Sequence, residues 1–98
     1  MDRSGIIAKL REHESELRAA GIVRLSLFGS VARGEATAES DVDLMAEFDS
    51  RREYSLLDRV RLERRLADML GVKVDLTPAR TLKDGIRERA TREAVLAF

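Results

Sequence analysis

The sequence predicts an α/β fold in which a small mixed sheet of about three strands is flanked by helices. Two observations lead to this prediction. Three short segments rich in β-branched and other apolar residues have the length of strands, and amphipathic segments with helical spacing alternate with them. The chain has 98 residues, of which 44% are apolar. We therefore expect one domain, residues 1–98, with its own core.

The amino-terminal part predicts a helix followed by a strand. Apolar residues recur at helical spacing from Ile6 to Ala20, with charged residues between them. Ser4 is expected to cap this helix and Gly21 to end it. Residues 22–28 are β-branched and apolar, so they predict the first strand.

The remainder predicts two strands and two helices. The strands are residues 42–48 and 72–77, and the helices are residues 56–70 and 81–96. Gly71 is expected to end the first of these helices, and Pro78 to stop the last strand. The expected core residues of the two helices are Leu56, Leu57, Val60, Leu66, Ala67 and Leu70, and then Leu82, Ile86, Ala90 and Val95.

Composition excludes several classes of protein. The chain has no Cys, which rules out disulfides and thiolate metal sites, and its one His makes a His-based metal site or a catalytic triad improbable. No apolar stretch approaches the roughly 20 residues of a membrane span. Residues 1–50 hold 6 basic and 10 acidic side chains, and residues 51–98 hold 12 and 8. This balance does not favour nucleic-acid binding, so we expect a cytoplasmic protein that binds neither membrane nor nucleic acid.

Three aspartates predict a cation site. Asp41 and Asp43 are two positions apart at the start of a strand, so their side chains share one face. Asp75 lies in another apolar strand, which an adjacent position in the sheet would bring beside this pair. Like charges so close together are unfavourable without a cation, and Mg²⁺ prefers carboxylate oxygens. Three such carboxylates suit phosphoryl or nucleotidyl transfer, in which Asp75 would accept the proton of the attacking hydroxyl.

A turn between the first two strands predicts a phosphate site. Gly29 and Ser30 follow the first strand, where free backbone N–H groups can hold an anion and the serine hydroxyl adds a donor. Arg33 would neutralise phosphate charge from the same turn. Each feature alone has an ordinary explanation, such as a turn glycine or a capping aspartate. The hypothesis therefore depends on their combination.

These residues resemble a known family. Gly29-Ser30, followed after ten residues by Asp41-x-Asp43, is similar to the signature of the polymerase-β-like nucleotidyltransferase superfamily. The longer strings Gly-Ser-x-Ala-Arg-Gly and Ser-Asp-x-Asp-Leu resemble its minimal nucleotidyltransferase branch, and the resemblance covers nearly the whole chain. It implies the fold of that superfamily, with Mg²⁺ held by the three aspartates. It also implies a nucleotide site formed by Gly29, Ser30, Arg33 and Ser40.

The resemblance also implies a function. Members of this branch pair with a HEPN-domain ribonuclease toxin and act as its antitoxin by transferring AMP from ATP to a toxin tyrosine. Two alternatives stay open. A non-catalytic antitoxin would neutralise its partner by binding, and variants of the three aspartates would then still neutralise it. A small-molecule nucleotidyltransferase would need an acceptor pocket that a chain of this length hardly affords.

Overall fold

The computed structural model describes residues 2–35, 37, 40–81 and 92–98, with the backbone alone at Thr81. Its elements are α1 (Arg3–Glu12), α2 (Glu14–Ala19), β1 (Ile22–Phe28), α3 (Gly29–Ala32), β2 (Val42–Phe48), α4 (Leu56–Leu70), β3 (Val74–Pro78), a 3₁₀ turn (Ala79–Thr81) and β4 (Val95–Leu96). The sheet order is β3-β2-β1-β4, with β2 and β3 parallel and the other pairs antiparallel. The predicted mixed α/β architecture is confirmed, with a fourth strand added.

The amino-terminal helix is divided in two. His13, at φ −102° and ψ 14°, leaves the helical conformation between α1 and α2, and its Nδ1 lies 3.2 Å from Glu16 Oε2. The predicted cap at Ser4 is wrong. Asp2 caps α1 because its carboxylate accepts a 2.8 Å hydrogen bond from the Gly5 backbone N–H.

Strand alternation builds the core on one face of the sheet. β1 and β2 have their predicted bounds. Alternate residues of β2 are buried, whereas a register shift between Ile22 and Arg24 interrupts the alternation in β1. The third strand begins and ends later than predicted and includes Pro78. Pro78 is tolerated because β3 lies at the edge of the sheet, where a missing backbone donor costs little. The largest fully buried core side chains are Ile6, Leu10, Leu17, Ile22, Leu25, Leu27, Leu44, Leu66, Leu70 and Leu76.

Helix α4 has the predicted bounds but buries a different stripe. Ser55 and Asp58 form a reciprocal capping box, and Gly71 ends the helix at φ 70°. Its buried residues are Leu62, Leu66 and Leu70. The expectation that Leu56, Leu57 and Val60 belong to the core is wrong, since they are 74%, 56% and 42% exposed. Leu57 lies nine residues before Leu66, about two and a half turns away, and so points to the opposite side.

The carboxyl end forms a strand where a helix was predicted. The Ala97 backbone N–H donates to the Leu25 carbonyl at 2.8 Å, and the Leu25 N–H donates to the Phe98 carbonyl at 3.1 Å. The edge of β1 thus pairs with Val95 and Leu96, which form β4. The other expected core residues of that helix, Leu82, Ile86 and Ala90, lie outside the described residues.

Among the described residues, no helix combines the length and hydropathy that crossing a membrane requires.

Candidate active site

Asp43 and Asp75 lie side by side on neighbouring strands. They are register partners in the parallel pair β2 and β3, so their Cα atoms are about one strand spacing, ~4.8 Å, apart. Asp43 is half-buried and Asp75 is exposed. Burial raises the pKa of Asp43, and the Asp75 and Asp41 carboxylates raise it further, while Arg33 opposes the shift. The structure therefore brings the predicted acidic residues within electrostatic reach of one another.

Asp41 lies just before β2, and its carboxylate is directed towards Lys73. Its side chain is 46% exposed, and its Oδ2 lies 3.9 Å from the Lys73 ammonium. Within the described part of the chain, no three acidic or histidine side chains stand close enough to form a ready-made metal site. Repulsion among three carboxylates favours this arrangement, since Asp41 gains a cationic neighbour instead. The oxygen donors suit a hard divalent cation, provided that Asp41 turns away from Lys73.

Gly29 packs directly against Asp43. Its backbone has φ +76°, and a Cβ at this position would overlap the Asp43 Oδ2 atom. Gly29 begins the short helix α3, whose first turn carries no side-chain cap. The backbone N–H groups of this turn therefore lie beside the carboxylates without a capping side chain of their own.

The other residues predicted to bind the nucleotide are Ser30, Arg33 and Ser40, and they differ in their hydrogen-bond partners. No hydrogen bond to the Ser30 hydroxyl is found among the residues that the structure describes. Arg33 donates to Glu35 at 3.0 Å and to Glu93 at 3.2 Å, and these partners raise its pKa. The Ser40 hydroxyl accepts a 2.9 Å hydrogen bond from the Thr37 backbone N–H. Arg33 and Ser40 would thus have to exchange partners before contacting a nucleotide.

A larger cleft lies away from these residues. It has a volume of about 460 Å³ and is lined by Ala20, Arg52, Glu53, Tyr54, Asp58, Arg61, Leu62 and Arg65. Several of its polar groups are already engaged: Arg52 and Tyr54 donate to backbone carbonyls, Arg65 binds Glu16, and Asp58 belongs to the capping box. The carboxylates of Asp43 and Asp75 are therefore a better candidate for the active site than this cleft.

A second cavity continues the face that carries Asp43. It has a volume of about 170 Å³ and is lined by Arg24, Ser26, Met45, Glu47, Ala94 and Leu96. None of these residues is among those that the sequence predicts for the site. Strand alternation places Met45 on the same face as Asp43, which is a signal that was available. The contribution of Leu96 was hidden by the helix predicted for its segment.

Neighbouring carboxylates at one edge of a mixed sheet, beside a glycine turn, form an arrangement that suits transfer of phosphate-linked groups. A family described as the nucleotidyltransferase domain matches residues 7–97, and the chain belongs to that family. Protein adenylyltransferase MntA of Thermococcus cleftensis is 41% identical over 87 residues, which cover 88% of this chain and 86% of that protein.

Solved structures agree with this family. A chain named as a minimal nucleotidyltransferase is 42% identical, with a TM-score of 0.82, over 97% of this chain and 95% of that one. A structure of a tri-AMPylated Shewanella oneidensis HEPN toxin in complex with an MNT antitoxin contains a chain with a TM-score of 0.68 at 18% identity, covering 93% and 70%. The likeness to this second chain concerns the fold alone.

Proposed function

We propose that this chain transfers AMP from ATP to a tyrosine hydroxyl of a partner HEPN ribonuclease toxin and thereby acts as its antitoxin. The carrying observation is the register of Asp43 and Asp75 beside Gly29. The name of the Thermococcus relative supports adenylyl transfer to protein, and the toxin–antitoxin complex with a similar fold supports a HEPN partner. We further propose that residues 1–98 act as one domain in the cytoplasm, where ATP is available.

The proposed step is a displacement at the α-phosphorus of ATP. The tyrosine oxygen forms the new O–P bond, the bond between the α-phosphorus and the bridging oxygen breaks, and pyrophosphate leaves. The phenolic proton passes to Asp75, which lies exposed on the same face as Asp43. This assignment makes Asp75 both a metal ligand and the proton acceptor.

The remaining residues bind and position the nucleotide. The uncapped first turn of α3 and the Ser30 hydroxyl would hold phosphate oxygens, with Arg33 and Ser40 joining after they exchange partners. Asp41, Asp43 and Asp75 would bind Mg²⁺, which neutralises phosphate charge and polarises the reacting phosphate. Burial raises the pKa of Asp43 and the nearby Asp75 and Asp41 carboxylates raise it further, and this concentration of negative charge supports a cation site.

The first prediction concerns Asp43→Asn. We expect this variant to fold and to lose AMP transfer by about a thousandfold or more, because it removes a ligand and a charge from the reacting centre. The chain is incubated with ATP, Mg²⁺ and a HEPN ribonuclease toxin as the acceptor protein. Intact-mass spectrometry then counts AMP additions on the HEPN protein.

Asp68→Asn is the matched control for this experiment, because Asp68 is an exposed aspartate on α4, a helix that holds none of the predicted site residues. It should transfer AMP at the wild-type rate. A HEPN protein that is neutralised by the wild-type chain yet stays unmodified would overturn the catalytic proposal.

A second candidate function is neutralisation by binding alone. Leu56, Leu57 and Val60 form an exposed apolar patch on α4, and such a patch suits a protein interface. In this case Asp43→Asn would still neutralise the toxin, whereas Leu57→Glu would not. A toxin growth assay with the two variants separates the functions.

A further inference from the structure

We propose that the 170 Å³ cavity beside β4 receives the aromatic ring of the acceptor residue. This inference rests on the proposed function, because it names the acceptor site of that reaction. The cavity is lined by residues of β1, β2 and the carboxyl-terminal segment, and it lies on the sheet face that carries Asp43. We call it the acceptor cavity.

The volume of the acceptor cavity selects a single ring. An apolar cavity of about 150 Å³ in another protein holds one benzene molecule, whereas sites for drug-sized ligands start at roughly 300 Å³. At about 170 Å³ the acceptor cavity therefore suits a phenol or phenyl ring and is too small for a nucleoside. ATP would have to lie elsewhere, on the Gly29 side of Asp43.

The walls of the acceptor cavity suit an aromatic side chain that arrives on a polypeptide. Met45 and Leu96 supply apolar surface, and a methionine sulfur makes favourable contacts with aromatic rings. Leu96 is 44% exposed, and a ring bound in the cavity would bury this apolar surface. At the rim, Arg24 and Glu47 are exposed register partners whose opposite charges can contact the acceptor backbone.

Strand geometry places the acceptor cavity at a suitable distance from the carboxylates. Met45 follows Asp43 by two residues on β2, so the two side chains point to one face about 7 Å apart. That distance is close to the length of a tyrosine side chain. A ring lying over Met45, with its backbone towards Glu47, therefore directs its hydroxyl to Asp43 and Asp75.

Binding of a ring to the acceptor cavity can be tested without catalysis. The chain holds three methionines, including Met45 in the cavity and Met69 on α4. The full chain, labelled with ¹³C at the methionine methyl groups, is titrated with N-acetyl-tyrosinamide up to about 20 mM, a range that covers the weak binding expected of one ring. We expect an upfield, saturable shift of the Met45 methyl resonance, with no change at Met69.

Two tryptophan variants make the titration specific. Leu96→Trp fills the acceptor cavity and should abolish the Met45 shift, whereas Asp68→Trp, at an exposed site on α4 outside the apolar patch, should retain it. With the HEPN acceptor, Leu96→Trp should lower kcat/KM for transfer about tenfold or more at an unchanged KM for ATP. A Met45 methyl that does not move, or that moves equally in Leu96→Trp, overturns the proposal.

The outcomes separate this inference from the proposed function. A saturable Met45 shift without any AMP transfer would retain the ring-binding cavity and reject the adenylyltransferase. Transfer by the wild-type chain that is equally fast in Leu96→Trp would retain the enzyme and reject the acceptor cavity.

Discussion

At the scale of single residues, two features require a glycine at position 29: its backbone conformation and its contact with Asp43. A positive φ already disfavours a side chain, and here the Asp43 carboxylate also occupies the space of a Cβ. Gly34 has almost the same φ, +75°, but, its chain neighbours aside, no atom of the described residues lies within 4 Å of its Cβ position. The two glycines therefore separate the cost of backbone strain from the cost of displacing a carboxylate.

We predict that Gly29→Ala loses more stability and more ATP affinity than Gly34→Ala. Both variants should lose about 1–2 kcal/mol to the left-handed backbone, and Gly29→Ala should lose more because Asp43 must move. Urea unfolding and ATP titration measure the two effects. Equal losses in both variants would show that the contact with Asp43 carries no energy.

At the scale of elements, α4 holds the strand that carries Asp75. The Leu76 backbone N–H donates a 2.8 Å hydrogen bond to Glu63 Oε2, so a helix side chain satisfies a donor of the edge strand β3. Leu76 is fully buried and adjoins Asp75. The position of this acidic residue therefore depends on a helix that carries none of the predicted site residues.

Replacing Glu63 should test this dependence. Glu63→Ala leaves a donor of β3 without its partner and should cost about 1–2 kcal/mol of unfolding free energy. Glu63→Gln keeps an acceptor oxygen and should cost less than half as much. Hydrogen exchange of the Leu76 amide is the second measurement, and it should accelerate in the alanine variant alone. Unchanged exchange in Glu63→Ala would exclude the proposed role of this bond.

At the scale of the whole molecule, one face of the sheet packs against helices and the other face carries Asp43. The side chains of one face form the core with α1, α2 and α4, while Asp43, Met45 and Glu47 point to the other face. The raised pKa of Asp43 means that burial and neighbouring charges disfavour its ionised form. At neutral pH, the ionised carboxylate of Asp43 therefore lowers the free energy of unfolding.

The raised pKa of Asp43 predicts how the free energy of unfolding changes with pH. Because the pKa of Asp43 is raised, the folded state binds its proton more strongly than the unfolded state, and this contribution falls as pH rises from the ordinary carboxyl pKa through the raised one. Without divalent cations near pH 7, Asp43→Asn should therefore be more stable than the wild type by about 0.5 kcal/mol. The difference should vanish below the ordinary pKa. Urea unfolding in EDTA measures it, and lower stability of Asp43→Asn at pH 7 would contradict it.

The sequence predicts most of this fold because local signals agree with the tertiary structure there. Residues 22–28, 42–48 and 56–70 have the expected bounds, since hydrophobic runs between glycine and polar turns leave few alternatives. The carboxyl end could not be predicted in the same way, because β4 exists only through pairing with β1, a non-local contact. In the site, strand alternation predicts that Asp41 and Asp43 share one face, and an adjacent strand brings Asp75 beside Asp43 as expected. The turn of Asp41 towards Lys73 could not be predicted, because it depends on side-chain electrostatics.

The closeness of Gly21 and Tyr54 has a consequence for self-labelling. Tyr54 is the one tyrosine of the chain, and its hydroxyl occupies the space that a Gly21 side chain would need. That hydroxyl donates to the Ala20 carbonyl at 3.3 Å, and its ring packs on Phe48, at the end of β2 away from Asp43. In the reaction proposed above, this arrangement keeps the chain's own phenol away from Asp43 and Asp75. Any AMP-tyrosine recovered from a reaction mixture would then report on the acceptor protein.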